Sequence, residues 1–278
     1  MRRPIMRNFE NDQAAGLRRI MSAPKPRVVS VLSAGLELTL PRMLTNLADS
    51  IQQSGNQVLI MHASVYSRES HYALHKSASL LDICDSGIAT KNAIKVSPYG
   101  FSVTKLSQKN QSLSKTTSLQ QANQLVQSLA QNYDIVIVDA SINDQGQLAL
   151  PILNESEIII QVSRSPESIK QAYTLIKLIC SQLGRRSFGI IVNEADDEQA
   201  QLVFQNIQQV AKRYMQIELE FFGAIPNDEE LNRATKLGRT VIDAFPLAKA
   251  SAAFSQIAKK LDAQFSYAPS PFKQASYR

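Results

Sequence analysis

Arg27-Val-Val-Ser-Val-Leu-Ser33, followed by Ala34-Gly35-Leu36-Glu37-Leu38-Thr39-Leu40-Pro41-Arg42-Met43, is the stretch that decides the fold. An apolar run from Val28 to Leu32 leads into a short turn and then a helical pattern beginning near Leu40. Strand, turn and helix in that order are how a phosphate-binding loop is presented to a nucleotide. The chemistry of such a loop needs glycines whose N–H groups curl around phosphate, a lysine for the β/γ charges, and a Ser or Thr for magnesium. Here the last Gly, Lys and Ser/Thr positions read Thr39, Leu40 and Pro41, and no lysine stands between Lys25 and Lys76. Pro41 suits the first turn of a helix but removes an N–H that would face an anion. The expectation is a nucleotide-switch scaffold whose binding centre is erased.

The rest of the chain supports such a scaffold. Strand-like runs fall at Arg27–Leu32, Gln57–His62, Phe101–Leu106, Ile135–Asp139, Glu157–Val162, Phe188–Asn193 and Leu219–Ala224. Several are continuously apolar, as strands covered on both faces are. Helical patterns lie between them at Leu40–Ser54, Ser118–Gln131, Glu167–Leu183, Glu198–Tyr214, Asp228–Leu237 and Leu247–Phe265. The alternation predicts an α/β fold of three layers, a mostly parallel sheet flanked by helices, with ligands at the carboxyl ends of the strands.

The 278 residues are 44% hydrophobic and 19% charged, the balance of an ordinary globular protein. The longest apolar runs are strand-sized, and Met1–Arg7 lacks the apolar stretch of a secretory signal. Cys84 and Cys180 stand in no metal or redox spacing and read as reduced thiols of a cytoplasmic protein. His71 and His75 are four apart without a catalytic Glu between them, so no metal site is expected.

The net charge of +6 is uneven: residues 1–27 carry seven Arg/Lys against Glu10 and Asp12, a local net of +5. A basic arm suits an acidic protein surface, nucleic acid or anionic lipid, or is simply a solvated tail. Pro24 and Pro26 separate it from the body. The expected organisation is an arm over 1–26, an α/β domain over 27–265 and a disordered tail over 266–278.

Four segments carry a resemblance to a known family. They are Asp12-Gln-Ala-Ala-Gly-Leu-Arg18, Tyr133-Asp-Ile-Val-Ile-Val-Asp139, Ser165-Pro-Glu-Ser-Ile-Lys-Gln-Ala-Tyr173 and Gly223-Ala-Ile-Pro-Asn-Asp228. The sequence resembles the MinD/ParA class of P-loop ATPases and, within it, the flagellar-number regulators of the FlhG/FleN branch. The resemblance implies a P-loop NTPase-like fold and, in the family, ATP and magnesium. The family's loop, approximately Gly-Lys-Gly-Gly-Val-Gly-Lys-Thr, aligns here with Ala34 to Pro41, so Gly35 and Leu40 stand where its two lysines do. The family's next acidic motif reads His62-Ala63-Ser64, leaving Asp139 as a remnant, and Glu37 adds a repulsive charge. The expectation is a pseudo-ATPase without cofactor or metal. The alternative is a weak MinD-like ATPase, rebuilt around Arg42, that cycles on the membrane.

Asp12 to Met21 can form a short helix capped by Asp12, with Ala14, Leu17 and Met21 on one stripe. In the resembling branch this box activates an SRP-type flagellar GTPase, FlhF. The resemblance implies that Gln13 reaches the partner's GTP, Asp12 orients, Leu17 anchors, and Arg18 pairs with acidic surface. Without the resemblance, the same segment reads as a helix packed on its own domain. The implied partners are that GTPase and a flagellar transcriptional activator. Direct nucleic-acid binding is not expected, and membrane association would be weak or indirect, with recruitment to the pole or inner membrane face through partners. A pilus or secretion localisation adaptor of the same superfamily is the remaining alternative.

Overall fold

A computed structural model describes residues 27–35, 39–64, 72, 77–86, 89–108 and 116–266. The elements in chain order begin with β1 (Arg27–Ser33), α1 (Thr39–Gln53), β2 (Val58–His62), α2 (Leu80–Ser86), β3 (Lys95–Val96) and β4 (Ser102–Lys105). There follow α3 (Thr116–Ala130), β5 (Ile135–Asp139), β6 (Glu157–Val162), α4 (Pro166–Leu183) and β7 (Phe188–Asn193). The chain continues through α5 (Asp197–Val210), β8 (Leu219–Ile225), α6 (Glu229–Lys236), α7 (Val241–Ala244) and α8 (Lys249–Ser266). The eight strands form one sheet in the order β3-β4-β2-β5-β1-β6-β7-β8, parallel throughout except for the β3–β4 pair.

Strand sequences explain why helices cover both faces. In β5, Val136 and Val138 pack into one core, with Leu59, Met61, Ile158 and Ile160 and residues of α3, α4 and α5. Ile135 and Ile137 point the opposite way, into a core with Val29, Val31, Ile60 and α1, α6 and α8. This alternation inside an unbroken apolar run is the period-two geometry of a strand with no solvent-facing side. Phe254, Ile257, Ala258 and Leu261 make the sheet-facing stripe of α8, as the sequence pattern predicts.

The three short elements α2, α7 and β3 are not among the sequence expectations, and each is too short to show a period. The helical run expected to reach Tyr214 does so, but its last turn, Ala211–Met215, widens to π-helix and ends at Gln216 in the left-handed region (φ 55). Among the described residues, no helix is long and apolar enough to cross a membrane.

Candidate functional site at the strand ends

The central strands β1, β2 and β5 end side by side, and the segments leaving them frame a cavity of about 400 Å³. Ser33 and Gly35 enter it from β1, Leu40 from α1, and Ser64 from the end of β2. Asp139 to Asp144 contribute the segment after β5, and Gln171, Thr174, Leu175 and Leu178 the flank of α4. Parallel α/β sheets place ligand crevices at this edge, because strand ends there diverge to helices on opposite faces.

The turn after β1 is held by the sheet. Ala34 N–H donates to the Gln161 carbonyl at 2.8 Å, and the Gln161 side-chain amide donates to Thr39 Oγ1 at 2.9 Å. Gly35 N–H bonds to Ser33 Oγ at 3.2 Å. A Cβ at Gly35 would meet only hydroxyl oxygens at 3.9 Å, so packing does not demand a glycine there. Leu40 is 3% exposed and packs in the α1-side core with Met43 and Leu44 while bordering the cavity. Burial of such a side chain contributes about 2 kcal/mol. Pro41 is buried in the same first turn.

Asp139 ends β5 with 0% exposure. Its Oδ2 accepts a hydrogen bond from the Tyr72 hydroxyl at 2.8 Å and lies 3.1 Å from His62 Nδ1. His62 stands opposite Asp139 in the β2–β5 register, so the sheet itself sets this pair. Burial raises the Tyr72 phenol well above its ordinary value, and the Asp139 charge and hydrogen bond add to the effect. The hydroxyl therefore stays a donor. On the next strand, Lys105 lies in register with His62, fully buried, with Nζ donating to Gln108 Oε1 at 2.7 Å. Gln108 passes the connection on to Asp82 Oδ2 at 2.7 Å. Charged and polar groups thus sit at three adjacent strand ends in two hydrogen-bonded sets, Asp139 with His62 and Tyr72, and Lys105 with Gln108 and Asp82.

Arg42 is placed elsewhere. Its guanidinium donates to Asn232 Oδ1 at 2.9 Å and lies 4.0 Å from Glu194 Oε1. Burial lowers its pKa, an effect that Glu194 opposes. Among the described residues that line the cavity there is no Lys or Arg, whereas Asp139 and Asp144 are both present.

The far wall is a small hairpin. Ile142 and Leu148 form an isolated antiparallel bridge, and Asn143 Oδ1 accepts from Gln145 N–H (3.0 Å) and Gln147 N–H (2.9 Å). Gly146 turns it at φ 81 and lies so close to α4 that a Cβ would sit 2.7 Å from the Leu178 carbonyl oxygen.

The structure brings Gly35, Leu40 and Asp139 to one cavity, whereas Ala34, Thr39 and Pro41 adjoin those residues in the chain without lining it, Ala34 and Thr39 being bonded to Gln161 and Pro41 buried. Asp12, Gln13, Leu17, Arg18, Glu37, His71 and His75 lie outside the described residues. Among the described residues no cluster of three or more His, Cys, Asp or Glu is arranged to hold a metal ion. Tyr72, Lys105, Gln108 and Asp82 were not singled out from sequence. The one available signal was a lysine closing a buried strand pattern at Lys105.

A parallel sheet in this order, with a turn and helix following its central strand, is the fold of the MinD/ParA class of P-loop NTPases. The chain overlays MinD cell division protein from Aquifex aeolicus with a TM-score of 0.66 and 19% identity, covering 89% of this chain and 100% of that one. It overlays a ParA family ATPase from Chlorobium tepidum with a TM-score of 0.61 and 20% identity, covering 86% and 100%. At these identities the likeness establishes fold alone. In sequence the chain is a homologue of antiactivator FleN from Pseudomonas aeruginosa, 27% identical over 222 residues that span 78% of this chain and 79% of that protein. No family model matches the chain.

Proposed function

We propose that this chain regulates flagellar number and placement through protein contacts, as a FleN-like antiactivator that has left ATP chemistry behind. The observation that carries this reading is the state of the cavity. Leu40 is packed into the core where the resembling family has its phosphate lysine, and Oδ2 of the Asp139 carboxylate is taken up by Tyr72 and His62. Magnesium and a triphosphate do not fit these residues. The net negative charge left on a magnesium-bound triphosphate would face Asp139 and Asp144 with no cation among the described lining residues to balance it, and Pro41 offers no N–H at the helix start. His62 occupies the place of an acidic residue in the resembling family's pattern, so a neighbouring imidazole meets the carboxylate that a metal would otherwise meet.

Similarity to FleN supports a flagellar transcriptional activator as one partner. The Asp12–Arg18 segment supports a second, the SRP-type GTPase FlhF. In that role Leu17 anchors a short helix, Arg18 meets acidic surface, and Asp12 caps. Gln13 presents a carboxamide that accepts from and donates to the attacking water without adding charge. A helix this short is marginal alone, so it forms on the partner.

Calorimetry with ATP and magnesium tests the first half: the expected result is no binding heat, meaning a Kd weaker than about 1 mM. Saturable micromolar binding refutes it and restores the membrane-cycling alternative. Single-turnover GTP hydrolysis by the flagellar GTPase tests the second half. The full chain is expected to accelerate it, and Gln13→Ala to return it to the unstimulated rate. Equal rates with wild type and Gln13→Ala would remove Gln13 from the mechanism.

A further inference from the structure

The outer face of α5 and its π turn carries a pattern that the proposed function does not use. Ala200, Val203, Phe204, Ile207 and Ala211 face the sheet and are buried. On the opposite side, Glu198, Leu202, Gln205, Gln209 and Arg213 follow one another at i, i+4, i+7, i+11 and i+15, and all are exposed. That spacing keeps them on a single stripe of the helix. The stripe is acidic at one end, basic at the other and amide in the middle. Asp197 and Lys212 repeat the same polarity beside it.

We infer that two copies of this chain dock through this stripe, antiparallel about a two-fold axis that passes near Gln205. A two-fold interface must be complementary to itself, residue i meeting j while j meets i. The stripe satisfies that condition in one register. Glu198 of each copy falls opposite Arg213 of the other, Leu202 falls opposite Gln209, and Gln205 lies beside its own counterpart. Antiparallel alignment also sets each helix's positive end beside the other's negative end.

Shape agrees with charge. A shallow groove of about 490 Å³, lined by Gln209, Val210, Lys212, Arg213 and Tyr214, opens where the helix widens into the π turn. In the register that pairs Glu198 with Arg213, the partner copy's Leu202 side chain arrives at this groove. Leu202 is 58% exposed and Tyr214 70% exposed, and pairing covers both. The macrodipole alone accounts for acids at the start and bases at the end of a helix. It does not account for an exposed leucine facing a groove at the two-fold-related position. A second copy is the occupant that meets charge and groove together. One helix pair is small beside a standard interface, so the association is weak and depends on concentration. α5 packs on β7 and β8 at the sheet edge, so this pairing leaves the strand-end cavity open.

Sedimentation velocity of the full chain without nucleotide, over a wide concentration range, tests the inference. Wild type is expected to shift from monomer to dimer. Glu198→Arg or Arg213→Glu alone weakens dimerisation by about tenfold or more, since like charges then face each other twice. An equimolar mixture of the two variants recovers wild-type association, because each supplies what the other lacks. All these positions are exposed, and unchanged unfolding midpoints will confirm that the fold is intact. In a Cys84→Ser/Cys180→Ser background, Gln205→Cys is expected to form an intermolecular disulfide readily, and Gln147→Cys on the distant hairpin is not. A strictly monomeric wild type, association indifferent to both charge swaps, or equal cross-linking at 205 and 147 would overturn the inference.

Discussion

Asp139 illustrates how a single carboxylate acquires a fixed environment. It has no contact with bulk water, and its Oδ2 is shared between a phenol and an imidazole contributed by residues far away in sequence. Removing the Tyr72 hydroxyl leaves buried charge less well satisfied, so Tyr72→Phe is expected to destabilise the fold by about 1–3 kcal/mol, measured by urea unfolding. The pH dependence has a definite sign. The folded pKa of Tyr72 lies above its unfolded value near 10, so its contribution is complete below pH 10 and is lost as pH rises toward the folded value. The loss of stability in Tyr72→Phe relative to wild type should therefore shrink above pH 10; a constant difference would contradict the assignment. Leu40, Pro41 and Asp139 were legible in the sequence because a motif fixes their order along the chain. Tyr72 and Lys105 were not, because their roles come from cross-strand register and a contact 67 positions away, which no local pattern encodes.

Among the elements, strands were read more surely than caps and short helices. A buried parallel strand must be apolar along its whole length, and Ile135-Val-Ile-Val138 and Ile158-Ile-Ile160 have no other sensible use. The seven residues of α2 and four of α7 hold at most two turns, too few for a 3.6-residue period to emerge. The start of α5 carries Asp196, Asp197 and Glu198, and Asp196 forms a capping box with Gln199 there. The self-complementary stripe of the same helix was not legible, because exposure had first to be known. The hairpin after β5 was missed too, although its closeness to α4 shapes the cavity. Gly146→Ala should show this directly. A left-handed φ costs an L residue about 1–2 kcal/mol, and the clash with the Leu178 carbonyl adds to it. A fall in thermal midpoint of several degrees is expected, and an unchanged midpoint would mean the hairpin is not pinned to α4.

At the scale of the whole molecule, the sheet determines where each activity can sit. A ligand that binds only the folded chain raises its unfolding midpoint by mass action. Because the strand-end cavity offers a triphosphate no cation among its described lining, millimolar ATP with magnesium is expected to leave the midpoint unmoved. A rise of several degrees would show that the nucleotide finds a grip the cavity does not display. The overall architecture was legible from the alternation of runs, since sheet and helices obey few packing rules. Which side chains converge at the strand ends was not, since that depends on strand order, and sequence order does not reveal it.

Arg27 gives the molecule a consequence of its own. At the first residue of β1 its guanidinium is bound to the Glu157 carboxylate on β6 and to the carbonyl oxygen of Leu261 on α8, so the root of the preceding 26 residues is bolted to both the sheet and the helical layer. Seven residues of strand, about 20 Å, then separate this root from the cavity at the other end. Under the proposed function, a partner gripping the chain close to Arg27 and one resting over the strand ends would meet opposite edges of the same sheet.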